Sequence, residues 1–147
     1  MPIHLHWRYI GLVFIGGALG TTARYLISAV IPPWLGLPLG TFLINVSGAF
    51  VLGVLLEALA LRGPDEGIRR NLRLFIGTGI LGGFTTYSAF AVDTDGLLTS
   101  NNLAGSLSYA VATILVGALA SLAGIALAAW HHGSVGPGRS SVIGGDE

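Results

Sequence analysis

The chain has 147 residues, 52% of them hydrophobic and 10% charged, with a mean hydropathy of +0.77 and a formal net charge of zero. That balance excludes an ordinary soluble domain. Its basic residues are scattered arginines, too few for a nucleic-acid footprint, and the lack of cysteine removes disulfides, thiol nucleophiles and cysteine metal sites together.

A bilayer core of about 30 Å needs about 20 apolar residues per helix, and four such runs follow one another at residues 9–31, 37–61, 72–92 and 103–130. The sequence predicts an all-α membrane protein of four transmembrane helices. The breaks between them, IPPWLGLP, RGPDEGIRRN and DTDGLLTSNN, carry ordinary turn residues. Arg8 ahead of the first run invites a signal-peptide reading, but Arg24 and further apolar sequence follow the small residues, so an uncleaved helix is expected. Residues 1–131 form one transmembrane unit on this reading. The Gly- and Ser-rich residues 132–147 are expected to be a disordered tail.

In the first run, Gly16 and Gly20 make a G-x-x-x-G step, and Arg24 follows at or inside the outer end. The glycines call for close backbone contact. The arginine either snorkels to the interface or serves a polar path. Thr41, Asn45 and Ser47 place hydrogen-bonding groups in the second run, Thr41 and Asn45 on one helix face, beside Gly48 and Gly53. Asn45 alone reads as glue between helices. The fourth run alternates Ala, Ser and Gly along Ala112, Gly117, Ala120, Ser121 and Gly124, and puts Tyr109 and Thr113 on one face. Packing inside one subunit and packing across a dimer explain these small residues equally well.

The third run ends in GGFTTYSAF, residues 82–90. Paired glycines and two β-branched threonines are poor helix formers, and an opened helix is tolerated in a bilayer only where it lines a cavity or is buried in protein. A break near the middle of this helix is therefore expected. Its freed carbonyls are the kind of ligand that suits a small cation such as sodium. Beyond the break Tyr87 and Phe90 share a face, and electropositive ring edges attract a small anion without trapping it. The only acid assigned to a span is Glu57, near the second loop, so a donor-rich, acid-free path favours an anion over a cation.

The strings GGALGTTARY, GTFLINVSG and GTGILGGFTTYSAF, in this order, strongly resemble signature stretches of the fluoride channel family known as Fluc or CrcB. The resemblance covers all four spans, from about Gly16 to Gly124. It implies an antiparallel dimer of four-helix subunits in the cell membrane, passing fluoride out of the cytoplasm through two pores, with a structural sodium ion at the dimer centre. By position it implies sodium ligands at the backbone carbonyls of Gly82 and Thr85, ring edges from Tyr87 and Phe90 at the fluoride path, and Asn45 as the pore asparagine. Arg24 would lie at the vestibule, and Tyr109, Thr113 and Thr41 in a polar track. Tyr87 departs from the usual phenylalanine by a hydroxyl that needs a partner or faces the ion.

Charge placement departs further. Arg8, Arg62, Arg69, Arg70, Arg73 and Arg139 fall on the side of the termini and only Arg24 falls toward the other. The positive-inside rule then puts both termini in the cytoplasm. A chain biased that way is expected to pair with an oppositely biased paralogue, a heterodimer, in preference to an antiparallel homodimer. The alternative function is a four-helix proton-coupled multidrug exporter, which needs a carboxylate inside its first helix where this chain has none. No enzyme is expected: the four histidines, His4, His6, His131 and His132, all lie in the termini.

Overall fold

A computed structural model describes residues 6–134 as helices joined by short loops. Helix α1 (Trp7–Val30) and helix α2 (Leu39–Ala60) are continuous. The third span, Gly67–Thr99, is composite: α3 (Gly67–Leu72), a π-helical stretch (Arg73–Leu81), α4 (Gly82–Phe84) and, after a break, α5 (Tyr87–Thr99). Helix α6 (Leu103–Ser134) completes four spans long and apolar enough to cross a membrane.

The third span runs further at both ends than the apolar run at 72–92. Helix α5 continues through Asp93, Asp95 and Gly96 to Thr99, so only the last three residues of the DTDGLLTSNN string, Ser100 to Asn102, form the loop, with Asn101 in the left-handed region. The fourth helix likewise continues to Ser134, where the Ser134 hydroxyl donates to the His131 carbonyl at 2.9 Å and two histidines lie in the last turn. Basic side chains suit that end of a helix. The tail expected from residue 132 onward otherwise lies outside the described residues.

The glycine steps are spent inside the subunit. A Cβ on Gly20 would strike the Ile80 carbonyl and the Phe84 nitrogen, and one on Gly83 would strike the Gly17 backbone. Helix α1 thus lies backbone to backbone on the π stretch and α4, with Gly16 meeting Gly79. On the other side, Gly53 of α2 meets the Ser121 carbonyl, and Gly124 of α6 meets the Phe50 carbonyl and Val54 nitrogen. Gly117 is different: a methyl group there would meet no atom within 4 Å. The π stretch takes up one extra residue per turn. It turns the first half of the third span onto α1, while α5 lies against α6.

Most large apolar side chains point outward, Phe14 at 75% and Leu119 at 63% exposure among them. Lipid or another subunit must cover them. Replacing Gly20 by alanine pushes a methyl into main chain that cannot swing aside, at about 1–3 kcal/mol. Thermal unfolding in detergent is expected to show a clear loss for Gly20→Ala. Gly96→Ala, where no atom lies within 4 Å, is expected to leave the midpoint level or raise it.

Candidate functional site: a clamped break and the cleft beside it

The break occupies Thr85 and Thr86, both in extended backbone (φ −72°, ψ 155° and φ −147°, ψ 123°). Each threonine closes one side of it. The Thr85 hydroxyl donates back to the Leu81 carbonyl at 2.9 Å, finishing the upstream helix. The Thr86 hydroxyl accepts from the Ala89 N–H at 3.1 Å, so Thr86 is the N-cap of α5. The peptide groups in between lose their helical partners, and Asn45 of α2 replaces two of them. Its Oδ1 accepts from the Thr86 N–H at 2.8 Å and its Nδ2 donates to the Thr86 carbonyl at 3.0 Å.

On the α4 side, the Gly83 carbonyl accepts from Arg24 Nε at 3.2 Å and from the Thr21 hydroxyl at 3.3 Å. The Gly82 and Thr85 carbonyls, by contrast, accept no hydrogen bond among the described residues. They are two neutral, hard oxygen donors left free by a helix that has stopped.

A cleft of about 400 Å³ opens beside the break, lined by Asn45, Thr85, Thr86, Tyr87, Phe90 and Thr113. Tyr87 is 81% exposed at its rim. Its ring lies 6.1 Å from that of Phe90, which in turn lies 5.7 Å from that of Tyr109, so three rings lead inward in series. Behind Phe90, Tyr109 is buried, with its hydroxyl beside Thr41, Thr113 and Asp93.

Of the residues singled out in the sequence, Asn45, Thr85, Tyr87, Phe90 and Thr113 therefore share one cleft, with Tyr109 and Thr41 behind it. Arg24 is absent from the cleft's lining, and its Nε bonds the backbone of the break. Like the Thr85 hydroxyl, those of Ser47 and Thr113 turn back on their own helices: Ser47 donates to the Leu43 carbonyl at 2.7 Å and Thr113 to the Tyr109 carbonyl at 2.7 Å. The expectation that Glu57 is the only acid within a span is corrected here: α5, inside the third span, carries Asp93 and Asp95, and Asp93 Oδ2 is buried with no hydrogen bond among the described residues. Its spacing of three from Phe90 was a usable signal, masked by the turn-like DTDG that follows.

The match to a family model follows the same segments. Residues 11–125 fit the model described as CrcB-like protein, Camphor Resistance (CrcB), from α1 to within α6. The chain belongs to the CrcB-like family. It is 66% identical over 128 residues to a protein of Leifsonia xyli subsp. xyli named fluoride-specific ion channel FluC 2, covering 87% of this chain and 88% of that one. It is 48% identical over 121 residues to fluoride-specific ion channel FluC 1 of Cutibacterium acnes, covering 82% and 83%. A protein of Anaeromyxobacter dehalogenans named fluoride-specific ion channel FluC is 42% identical over 124 residues, covering 83% and 96%.

The Asn45 clamp in this CrcB-like chain has a direct energetic consequence. Asn45→Ala leaves the Thr86 N–H and carbonyl unpaired in the interior, at about 1–3 kcal/mol for each group. Its thermal midpoint in detergent is expected to fall well below that of the parent. Asn45→Asp, which keeps the acceptor and loses the donor, is expected to lie between them.

Proposed function

We propose that the chain is a subunit of a fluoride channel that lets fluoride leave the cytoplasm passively. The observation that carries this reading is the cleft itself: Asn45, three threonines and the rings of Tyr87 and Phe90 line it together with Ala49, Leu52 and Ile114, and no charged side chain is in the lining. Fluoride holds its water strongly, so a path must offer comparable donors yet release the ion quickly. Tyr87 and Phe90 present ring edges, Asn45 keeps the second N–H of its amide for the ion, and Tyr109, Thr113 and Thr41 continue the path inward. Arg24, its Nε tied to the Gly83 carbonyl, supplies positive potential toward the break without standing in the cleft. Passive exit needs no coupling: hydrogen fluoride enters uncharged, ionises in a more alkaline cytoplasm, and an inside-negative potential drives the anion out.

The partner in this reading is a second subunit in antiparallel orientation. Two features support it: the outward-facing Tyr87 ring, and the free carbonyls of Gly82 and Thr85. Two neutral oxygens from each of two subunits make a four-oxygen set suited to a structural sodium ion at the dimer centre. The ion would fasten one break to the other. The arginine bias supports termini in the cytoplasm and a related, oppositely biased partner. Relatives named FluC 1 and FluC 2 fit a paralogue pair.

The test is fluoride release from liposomes holding this chain alone, started with a potassium ionophore. Rapid fluoride release without chloride release is expected if it self-pairs; if the heterodimer is obligate, release is expected after co-expression with an oppositely biased paralogue. No release in either preparation overturns the channel. Phe90→Ile removes a ring-edge contact of about 1 kcal/mol and is expected to slow release about fivefold. A C-terminal reporter active on one side only is expected to give signal from the cytoplasm, and signal from both sides would sink the single-orientation reading.

A further inference from the structure

Helices α2 and α6 run side by side toward the same end of the subunit, in main-chain contact where Gly53 meets the Ser121 carbonyl and Gly124 meets Phe50. Beyond that contact they leave a groove of about 510 Å³ between them. Its two walls share one pattern. On α2, Val54 and Ala58 lie four apart and Arg62 follows four later, just past the helix end; on α6, Leu127 leads to His131 and Ala128 to His132 at the same spacing. Each line is apolar toward the middle of the span and basic at its end. From Val54 to Arg62 is about 12 Å along the helix axis, within the depth of about 15 Å that one leaflet of hydrocarbon offers.

Charge selects the occupant. The lining holds no acid, and among the described residues the Arg62 guanidinium makes no ion pair. A second basic groove of the subunit differs on this point: Arg70 and Arg73 line it beside Asp65, and both pair with that carboxylate. Glu57, the acid of α2, lies five residues before Arg62, about 140° round the helix, and is absent from the lining. Arg62 is always charged, and each imidazole has an N–H to donate in either protonation state. A basic side chain suits the carbonyl end of a helix on its own account. That accounts for histidines at the end of α6 but not for three such groups, from two helices, converging over one apolar floor. Trp130, 72% exposed, immediately precedes His131, and tryptophan is at home where hydrocarbon meets headgroups.

We propose that this groove holds one anionic phospholipid, its phosphate against Arg62, His131 and His132 and the first part of an acyl chain along Val54, Ala58 and Leu127. The phosphate oxygens accept from the guanidinium and the ring N–H groups, and basic pockets between spans suit such headgroups. A zwitterionic lipid fits the apolar part equally well, but brings an ammonium group to a rim with no acid to receive it. A free phosphate meets the rim and leaves the apolar floor uncovered. Only a molecule with both parts matches both. The lipid ties together the two helices that carry Asn45 and Thr113 to the cleft. Its seat does not depend on which ion the cleft passes.

The experiment is native mass spectrometry of the full chain in detergent, mixed with equal amounts of phosphatidylglycerol and phosphatidylcholine. One phosphatidylglycerol retained per copy of this chain is expected, in about fivefold excess over phosphatidylcholine, the effect that one arginine gives at a membrane surface. Arg62→Gln, at an exposed and unpaired position, is expected to abolish the excess. Arg8→Gln, at the same end of the subunit but outside the groove, is expected to keep it. Ala58→Phe fills the apolar part and is expected to lower phosphatidylglycerol retention about as far. Equal retention of the two lipids by the parent overturns the proposal without any variant. An equal loss in Arg8→Gln and Arg62→Gln marks diffuse surface charge and overturns it too. Retention untouched by Ala58→Phe marks a site for the headgroup alone, which overturns the lipid seat. A groove taken by residues 135–147 or by a second subunit retains no lipid until that segment is deleted or the subunits are separated, and this result also overturns it. None of these outcomes is read from fluoride flux, so the proposal and the channel reading fail separately.

Discussion

The arrangement of the whole site depends on two hydrogen bonds between Asn45 and the Thr86 peptide. A helix that stops inside a bilayer exposes main-chain groups that neither water nor a neighbouring turn can satisfy. Asn45 is matched to that problem, because its amide offers one acceptor and one donor in a fixed plane to one N–H and one carbonyl. With the break held there, Tyr87 begins a new helix whose direction and phase are set by the Thr86 cap. The aromatic series leading to Tyr109 is a result of that phase. Asn45 is thus a structural clamp as well as a residue of the cleft.

The glycines do a complementary task. Gly16, Gly20, Gly79 and Gly83 let α1 touch the third span at main-chain distance, which places Arg24 within reach of the Gly83 carbonyl. A larger residue at any of these positions would move that arginine away from the break. Close packing upstream of the break and a side-chain clamp downstream fix its two ends separately. The Gly82 and Thr85 carbonyls, between those two fixed ends, accept no hydrogen bond among the described residues.

Four spans, the broken third helix and the residues of the cleft were legible in the sequence, because apolar length, paired glycines and adjacent threonines each have a local physical meaning. What was not legible depends on partners distant in the chain. Nothing near Asn45 in sequence indicates that both ends of its amide meet a peptide 41 residues on. The π stretch from Arg73 to Leu81 has no composition of its own beyond glycines that also suit an α-helix. Asp93 was hidden for a different reason: Asp, Thr and Gly in succession read as a turn, while the cap at Thr86 and contact with α6 carry the helix past them.

Surface exposure separates finished packing from unfinished construction. Gly53 and Gly124 face atoms of the same subunit, and nothing more is needed to explain them. Tyr87 is an aromatic ring with most of its surface uncovered, near two carbonyls that accept no hydrogen bond among the described residues. Lipid tails cover a ring but cannot satisfy a carbonyl, so a hydrocarbon neighbour solves half of the problem. In the proposed antiparallel dimer, a second break brought against the first with a sodium ion between them would meet both needs, without adding an arginine or lysine to the path. In the proposed channel the same economy would apply to the cleft, where amide, hydroxyl and aromatic groups without charge would hold an anion weakly enough to release it.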